Sequence, residues 1–328
     1  MVAGEFAAPW AEWLAENTRT GWNIRSWMDG DSFGEFAAAV VKADVVVAGN
    51  IRGDWPAVPR LRLYQVPFTG YEWLDAAKLP DSCVVCNCYE HEIAISEYVL
   101  GVMLERQIGS RKDDTYFREH GWKDRKPGGG PAHGELYAKT IGIVGYGAIG
   151  REVAVRAAAF GMRVVGISRT APKSMTPLDW FDDMGVLPRL LRESDFVVMA
   201  LPLSDQTRGM FDAACFAAMK PDALFINVGR GMTVDEKALY SALAERRIGG
   251  AAIDVWYQYP GRKDPLPDPS RFRFQDLDNV LMTPHNSART QETQDRRWKS
   301  VAANLDRLAR GEPLKNVCFS GTAYTKER

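Results

Sequence analysis

Three glycines at fixed spacing, Gly145, Gly147 and Gly150, mark the first chemistry legible in this chain. They follow an apolar run, Ile141–Val144, and lead at once into a helix-forming stretch. Each position asks for glycine for its own reason. The first permits a tight turn, the second lets the backbone approach a pyrophosphate, and the third lets helix and strand pack closely. Unpaired amides at the helix start then face the phosphates, so Tyr146, Ala148 and Ile149 belong to the same cradle. A second strand over Met162–Ile167 completes the unit within about thirty residues, which makes a dinucleotide the expected ligand.

The end of that second strand reads the adenosine ribose. An acidic residue there accepts from the 2′-hydroxyl, whereas an arginine accommodates a 2′-phosphate. The strand here ends in Ser168 and Arg169, with Lys173 close by. A hydroxyl and a guanidinium favour a phosphate that a carboxylate would repel. NADP is therefore expected over NAD.

The elements that must position these residues follow from the rest of the 328-residue chain. Its length is that of about two domains. With 46% hydrophobic and 25% charged residues the composition is that of a globular protein. A net charge of -1 supplies no field to recruit nucleic acid or an anionic membrane. No uninterrupted apolar stretch reaches the length of a membrane span. Glu5 and Glu12 stand where a secretory signal would be basic and then apolar, so a cytoplasmic location is expected. Cys83, Cys86 and Cys88 lack a second ligand cluster and read as buried small residues, with Cys83 on the strand face opposite the other two.

Strand-like runs at Ala43–Ala48, Leu61–Val66 and Cys83–Cys88 precede a helical spacing over Glu97–Glu105, which reads as a helix linking two domains. A Gly- and Pro-rich loop follows at Arg125–Gly134. After the glycine motif, helices at Ala148–Phe160, Leu187–Glu193, Ala213–Met219 and Asp235–Glu245 alternate with strands at Met162–Ile167, Phe196–Ala200, Ala223–Val228 and Ala251–Val255. Val280–Met282 makes one more strand, and a last helix spans Thr293–Leu308. This alternation predicts an α/β fold with a parallel, doubly wound sheet and ligands at the C-terminal ends of its strands.

The ordered set Thr140–Gly150, Leu201–Leu203 with Thr207, Ile226–Gly231, Ala252–Trp256 and Thr283–His285 resembles the D-isomer-specific 2-hydroxyacid dehydrogenases over nearly the whole length. That group includes glyoxylate/hydroxypyruvate reductases, phosphoglycerate dehydrogenase and formate dehydrogenase. The resemblance implies a Rossmann domain, residues 101–294, inserted into a smaller flavodoxin-like substrate-binding domain made of residues 1–100 and 295–328. It further implies a homodimer and a small 2-oxo acid substrate. Arg230 would bind the acid and polarise its carbonyl, a task suited to a planar, permanently charged fork. His285 would deliver the proton. Asp254 would contact the nicotinamide carboxamide, Leu201, Pro202 and Thr207 would line the cofactor, and Thr69, Gly70 and Tyr71, followed by Glu72, would form the loop that holds the substrate carboxylate. Tyr71 and Trp73 are bulkier than is usual there, which fits either an aromatic substrate lining or the domain core.

One position departs from the pattern. The family follows its Asp-Val-aromatic motif with Glu-Pro, and that glutamate keeps the histidine protonated. Here Tyr259 precedes Pro260, and no glutamate lies between Asp254 and His285. A neighbouring carboxylate raises a histidine pKa by about one unit, or about 1.4 kcal/mol. Without it His285 is expected to be largely neutral at pH 7, with Tyr259 orienting it and activity rising toward acid. Two further readings are a formate-dehydrogenase-like enzyme, since that branch carries Gln-Pro at this place, and a non-catalytic NAD(P)-sensing protein. Retention of both Arg230 and His285 argues against the sensor.

Overall fold

The computed structural model describes residues 1–320 apart from 52, 72, 124–125 and 262–263. Glu72 and Arg125, both singled out above, lie outside the described residues. In chain order the elements begin with β1 (Val2–Ala3), α1 (Ala11–Asn17), β2 (Ser26–Trp27), α2 (Phe33–Val40), β3 (Val45–Ala48), β4 (Leu63–Gln65) and β5 (Val84–Cys86). Next come α3 (Glu92–Ile108), α4 (Ser110–His120), β6 (Thr140–Val144), α5 (Ala148–Ala159), β7 (Arg163–Ile167), β8 (Trp180–Asp182), α6 (Leu187–Glu193), β9 (Phe196–Met199), α7 (Ala213–Ala218), β10 (Leu224–Asn227), α8 (Glu236–Ala244), β11 (Gly250–Ile253) and β12 (Val280–Met282). The chain ends with α9 (Gln291–Ala309) and β13 (Val317–Ser320).

Two compact units emerge, Met1–His91 with Thr290–Arg328, and Glu92–Arg289. The divisions fall earlier than the expected 100/101 and 294/295. The reason lies in α3, which the sequence spacing revealed only over its middle. The helix buries Val99, Leu100, Val102 and Met103 in one cluster with Ile141, Ile143, Val153 and Ala157, so its whole length belongs with the second unit. Thr290 then caps α9 through Thr293 N (3.0 Å), which sets the other division.

The second unit carries a seven-stranded sheet in the order β12-β11-β10-β9-β6-β7-β8, parallel throughout. Counting β6 as one, strands four to seven run outward on one side and two and three on the other, the Rossmann order 3-2-1-4-5-6 with one strand added. β9 and β10 are buried at every position, as expected for strands covered on both faces. Successive residues alternate between two cores: Val197, Met199 and Phe225 in one, Phe196, Val198 and Leu224 in the other. Asp212 and Asp235 cap α7 and α8 by accepting from Cys215 N (3.0 Å) and Ala238 N (2.7 Å).

The first unit is built on a six-stranded sheet, β13-β5-β4-β3-β1-β2, parallel except for β13. From β2 to β5 this is the flavodoxin-like order 2-1-3-4-5. The cysteines alternate as expected: Cys83 joins the core with Phe36 and Tyr64, whereas Cys86 and Cys88 face Trp298 and Val301. Among the described residues no metal-binding group is found, and no helix is long and apolar enough to cross a membrane. Trp73 donates to Gly70 O (3.2 Å) and packs on Tyr64, and Tyr71 rests against Phe319. Both rings therefore serve the unit's core.

Candidate active site of the nucleotide-binding unit

The turn from β6 into α5 assigns each glycine its task. Gly145 has φ +103° and a side chain there would lie 2.9 Å from the Ala200 backbone, so neither its conformation nor its neighbours admit another residue. Around Gly147, the residue preceding α5, a side chain would meet nothing within 4 Å. At Gly150 a Cβ would come within 2.5 Å of Gly145 O. The middle position is thus the open one, beside the amides of Ala148 and Ile149, and the outer two are closed by backbone. This cradle fits a pyrophosphate. Tyr146 contributes backbone only, because its buried ring packs on Phe181.

Ser168 follows β7 directly. Its hydroxyl donates to Thr170 O (2.8 Å) and accepts from Thr170 N (3.3 Å), closing a turn with Arg169 exposed at the tip. Ser168 therefore shapes the turn, and Arg169 presents the charge. Beyond β9, Leu201 is buried beside the Gly145 turn. Thr207 is a loop staple, donating to Pro202 O (2.7 Å) and accepting from Ser204 N (2.8 Å).

Arg230 stands past β10 in extended backbone, φ -139°. On either side, Gly229 and Gly231 run against the backbones of Leu201 and Trp256, where side chains would not fit. Buried Asn227 accepts from Gly229 N (3.1 Å), and Thr233 donates to Arg230 O (2.7 Å), so both sides of the arginine are held.

Asp254, past β11, holds a loop. It is 1% exposed and accepts from four donors: Thr283 Oγ1 (2.6 Å), Asn286 N (3.0 Å), Ser287 N (3.2 Å) and Ser287 Oγ. Four donors leave this carboxylate as the anchor of the Thr283–Ser287 loop rather than a free contact for a carboxamide. Tyr98 OH pairs with Thr283 Oγ1 at 2.9 Å, and Trp256 Nε1 donates to Thr283 O at 2.8 Å. His285, inside this loop, is forced to φ +54°, a left-handed backbone that costs a non-glycine residue about 1–3 kcal/mol.

Tyr259 reaches His285. Its hydroxyl lies 3.0 Å from Nδ1 and also accepts from Trp256 N at 3.0 Å. The residue is 47% exposed, but its oxygen is turned onto these two partners. Removal of water by surrounding protein lowers the His285 pKa below the ordinary imidazole value; the Asp254 charge pulls it back up and Arg230 pushes it down. Desolvation raises the Tyr259 pKa, with Trp256 N–H and Arg230 acting the other way and Asp254 adding to the rise. Arg230, Asp254, Tyr259 and His285 are thus electrostatically joined. Asn227, Thr283, Ser287 and Tyr98 escaped the sequence reading; the first three sit inside or beside its motifs, but their side-chain bonds leave no mark in spacing.

In the other unit, Thr69 of the proposed substrate loop is held by Asn87 Nδ2, which donates to its carbonyl (2.9 Å), and its hydroxyl donates to Cys88 O (3.3 Å). The His91 imidazole lies 3.1 Å from Thr69 Oγ1. Sequence alone gave His91 only a structural part; the fold puts it on this loop with Thr69, Gly70 and Tyr71.

Gly147→Ala is expected to melt within a degree or two of the parent while weakening NADPH binding at least tenfold in a fluorescence titration. Gly150→Ala should lose both stability and binding, because its Cβ meets backbone. Equal effects of the two changes would contradict the cradle. Asp254→Asn sets an amide against two backbone N–H groups and is expected to cost about 3 kcal/mol in urea unfolding. It should also lower the His285 titration midpoint in the cofactor-free protein, since the lost charge is one that raises it; an unmoved midpoint would remove Asp254 from the site.

Residues 100–287 match the model of the D-isomer specific 2-hydroxyacid dehydrogenase NAD-binding domain, a span that contains the glycine cradle, Arg230, Asp254, Tyr259 and His285. The D-3-phosphoglycerate dehydrogenase of Methanocaldococcus jannaschii is 35% identical over 225 residues, 69% of this chain but 41% of that longer protein. The glyoxylate reductase of Pyrococcus furiosus is 35% identical over 259 residues, 77% of this chain and 74% of its own. Among solved structures, the NADPH-dependent glyoxylate/hydroxypyruvate reductase of Sinorhizobium meliloti, in complex with NADP and sulfate, matches with a TM-score of 0.75 and 25% identity, covering 96% of both chains. Sequence, topology and the glycine cradle agree with one another: this chain is an oxidoreductase that uses a nicotinamide cofactor and belongs to the D-isomer specific 2-hydroxyacid dehydrogenase family.

Proposed function

We propose that the protein is an NADP-dependent reductase of a small 2-oxo acid of the glyoxylate or hydroxypyruvate type, working as a homodimer. One observation carries the reading: Arg230 and His285 are each rigidly held at C-terminal strand ends of the sheet whose glycine turn cradles the dinucleotide. The bound cofactor supplies the hydride. Arg230 pairs with the substrate and draws charge toward its oxygen as the carbon is reduced. His285 faces that oxygen with the proton, and Tyr259 fixes the imidazole through Nδ1. The first unit binds substrate through the Thr69–Tyr71 loop. Arg169 supports NADP over NAD, because an exposed guanidinium at the end of β7 suits a 2′-phosphate.

A dimer is supported by α4, which has no buried residue. Phe117 on it and Trp122 just beyond are 45% and 62% exposed, and their rings meet edge-on at 4.8 Å. Paired exposed rings on a helix without a core face mark an interaction surface.

NADPH and NADH oxidation across a panel of 2-oxo acids tests the reading. Turnover with NADPH is expected to exceed that with NADH at least tenfold, and Arg169→Ala to erase most of the difference; a preference for NADH would refute the cofactor assignment. His285→Ala and Arg230→Ala should each lower kcat/KM by about 10²–10⁴-fold, and full activity in either would refute its role. Light scattering should give twice the chain mass, reduced to one by joint Phe117→Ser and Trp122→Ser; a monomeric parent protein would refute the dimer.

A further inference from the structure

The hydrogen-bond directions around Tyr259 bear on where the proton begins. Trp256 N–H has no acceptor role, so it donates to the phenol oxygen at 3.0 Å. The phenol keeps its own O–H, and its second partner is His285 Nδ1, also at 3.0 Å. A neutral imidazole that accepts at Nδ1 carries its proton on Nε2, the nitrogen turned away from Tyr259. A carboxylate at position 259 would impose the opposite arrangement, because it only accepts.

We propose that Tyr259 is the proton source of this site and that His285 is the conduit. This rests on the reductase reading above. As hydride forms the new C–H bond, the C=O π pair moves onto oxygen. That oxygen takes the proton from Nε2, the N–H bond breaks, Nδ1 takes the phenol proton, and a phenolate remains. The imidazole ends neutral with its tautomer reversed. Electrons balance with the one hydride supplied, and the proton lost by Tyr259 is replaced from water. The 47% exposure of Tyr259 gives water that access.

The surroundings suit the phenolate. Trp256 N–H already donates to its oxygen, and the Arg230 charge acts on it favourably, whereas Asp254 acts against it. These are the two charged groups of the nucleotide-binding unit that act on Tyr259 and His285 alike. A phenol is also far more acidic than the alcohol formed when the alkoxide takes the proton, so the transfer runs downhill. An imidazolium donor would instead have to form beside Arg230 against desolvation, and those two influences both oppose it. At neutral pH the phenol is fully protonated and the imidazole mostly is not. The relay thus predicts activity that is level across neutrality in place of a rise toward acid.

The test starts on the cofactor-free protein. Nitrogen-15 NMR of the His285 ring at pH 7.5 is expected to show the Nε2–H tautomer, giving way to a mixture in Tyr259→Phe, a change that leaves a half-exposed ring in place. An Nδ1–H tautomer in the parent protein would overturn the proposal. Single-turnover rates with NADPH from pH 5.5 to 9 should be level for the parent up to at least pH 8. Tyr259→Phe should be about a hundredfold slower at pH 8, with the gap closing toward pH 5.5 as its imidazole protonates. Tyr259→Glu should fall off at a pH above that of the Phe variant. A parent profile that declines through the imidazole range, paralleled by Tyr259→Phe, overturns the relay and leaves the reductase reading standing. No turnover with any 2-oxo acid overturns that reading, and the ring tautomer then decides the relay by itself.

Discussion

The buried carboxylate of Asp254 is the constraint on which the catalytic geometry depends. Its four donors come from the loop that contains His285, and that loop is held in a left-handed backbone that a histidine would not adopt unaided. Hydrogen bonds to a charged group are worth about 1.5–3 kcal/mol each, and the two amides of Asn286 and Ser287 alone outweigh a strain of about 1–3 kcal/mol. Thr283 extends the hold outward to Tyr98 and Trp256. The same Trp256 then offers its backbone N–H to Tyr259. Histidine, phenol and carboxylate are therefore parts of one bonded assembly, set in place before any substrate arrives.

That assembly changes what the absent glutamate means. A carboxylate at position 259 would favour a charged His285, and the burial found here favours the neutral ring. The cost of losing one charge is offset by a group that both donates and accepts. A phenol can follow the imidazole through either protonation state, and its hydrogen need only turn from Nδ1 toward water when the ring becomes charged. The family's usual pair has no such freedom. Arg230 makes the exchange electrostatically sensible, because a second positive charge nearby is disfavoured and a transient negative one is not.

The sequence makes the interior of the fold legible and its edges obscure. β3 and β9 are apolar throughout, and β10 up to Asn227, because they are covered on both faces, and such runs need no tertiary information to be seen. β1, β2, β8 and β13 are two to four residues long and paired at or near sheet edges. Register with a neighbour makes them strands, and nothing in their own composition does. The glycine cradle was legible because each glycine answers a local steric demand. Asp254 was visible as a residue, but its hold on the loop was not, since its partners come from 29 to 33 positions away. Ser168 likewise turned out to bond to its own turn. Motifs report which side chains are needed at a place; they do not say which atoms those side chains will have left over.

Tyr259 shows the same limit from the other side. Its place before Pro260 fixed where it sits along the chain, and from that alone its only legible property was the lack of charge. One of its hydrogen bonds comes from a backbone amide three residues earlier, whose availability depends on how the segment after β11 bends. Losing that amide would remove a donor to the phenol oxygen and, with it, part of the support for a phenolate at this place. The chemistry of the site thus turns on the orientation of one peptide group. The same residue's indole Nε1 donates to the carbonyl of Thr283, two residues before His285, and so ties that peptide to the histidine loop.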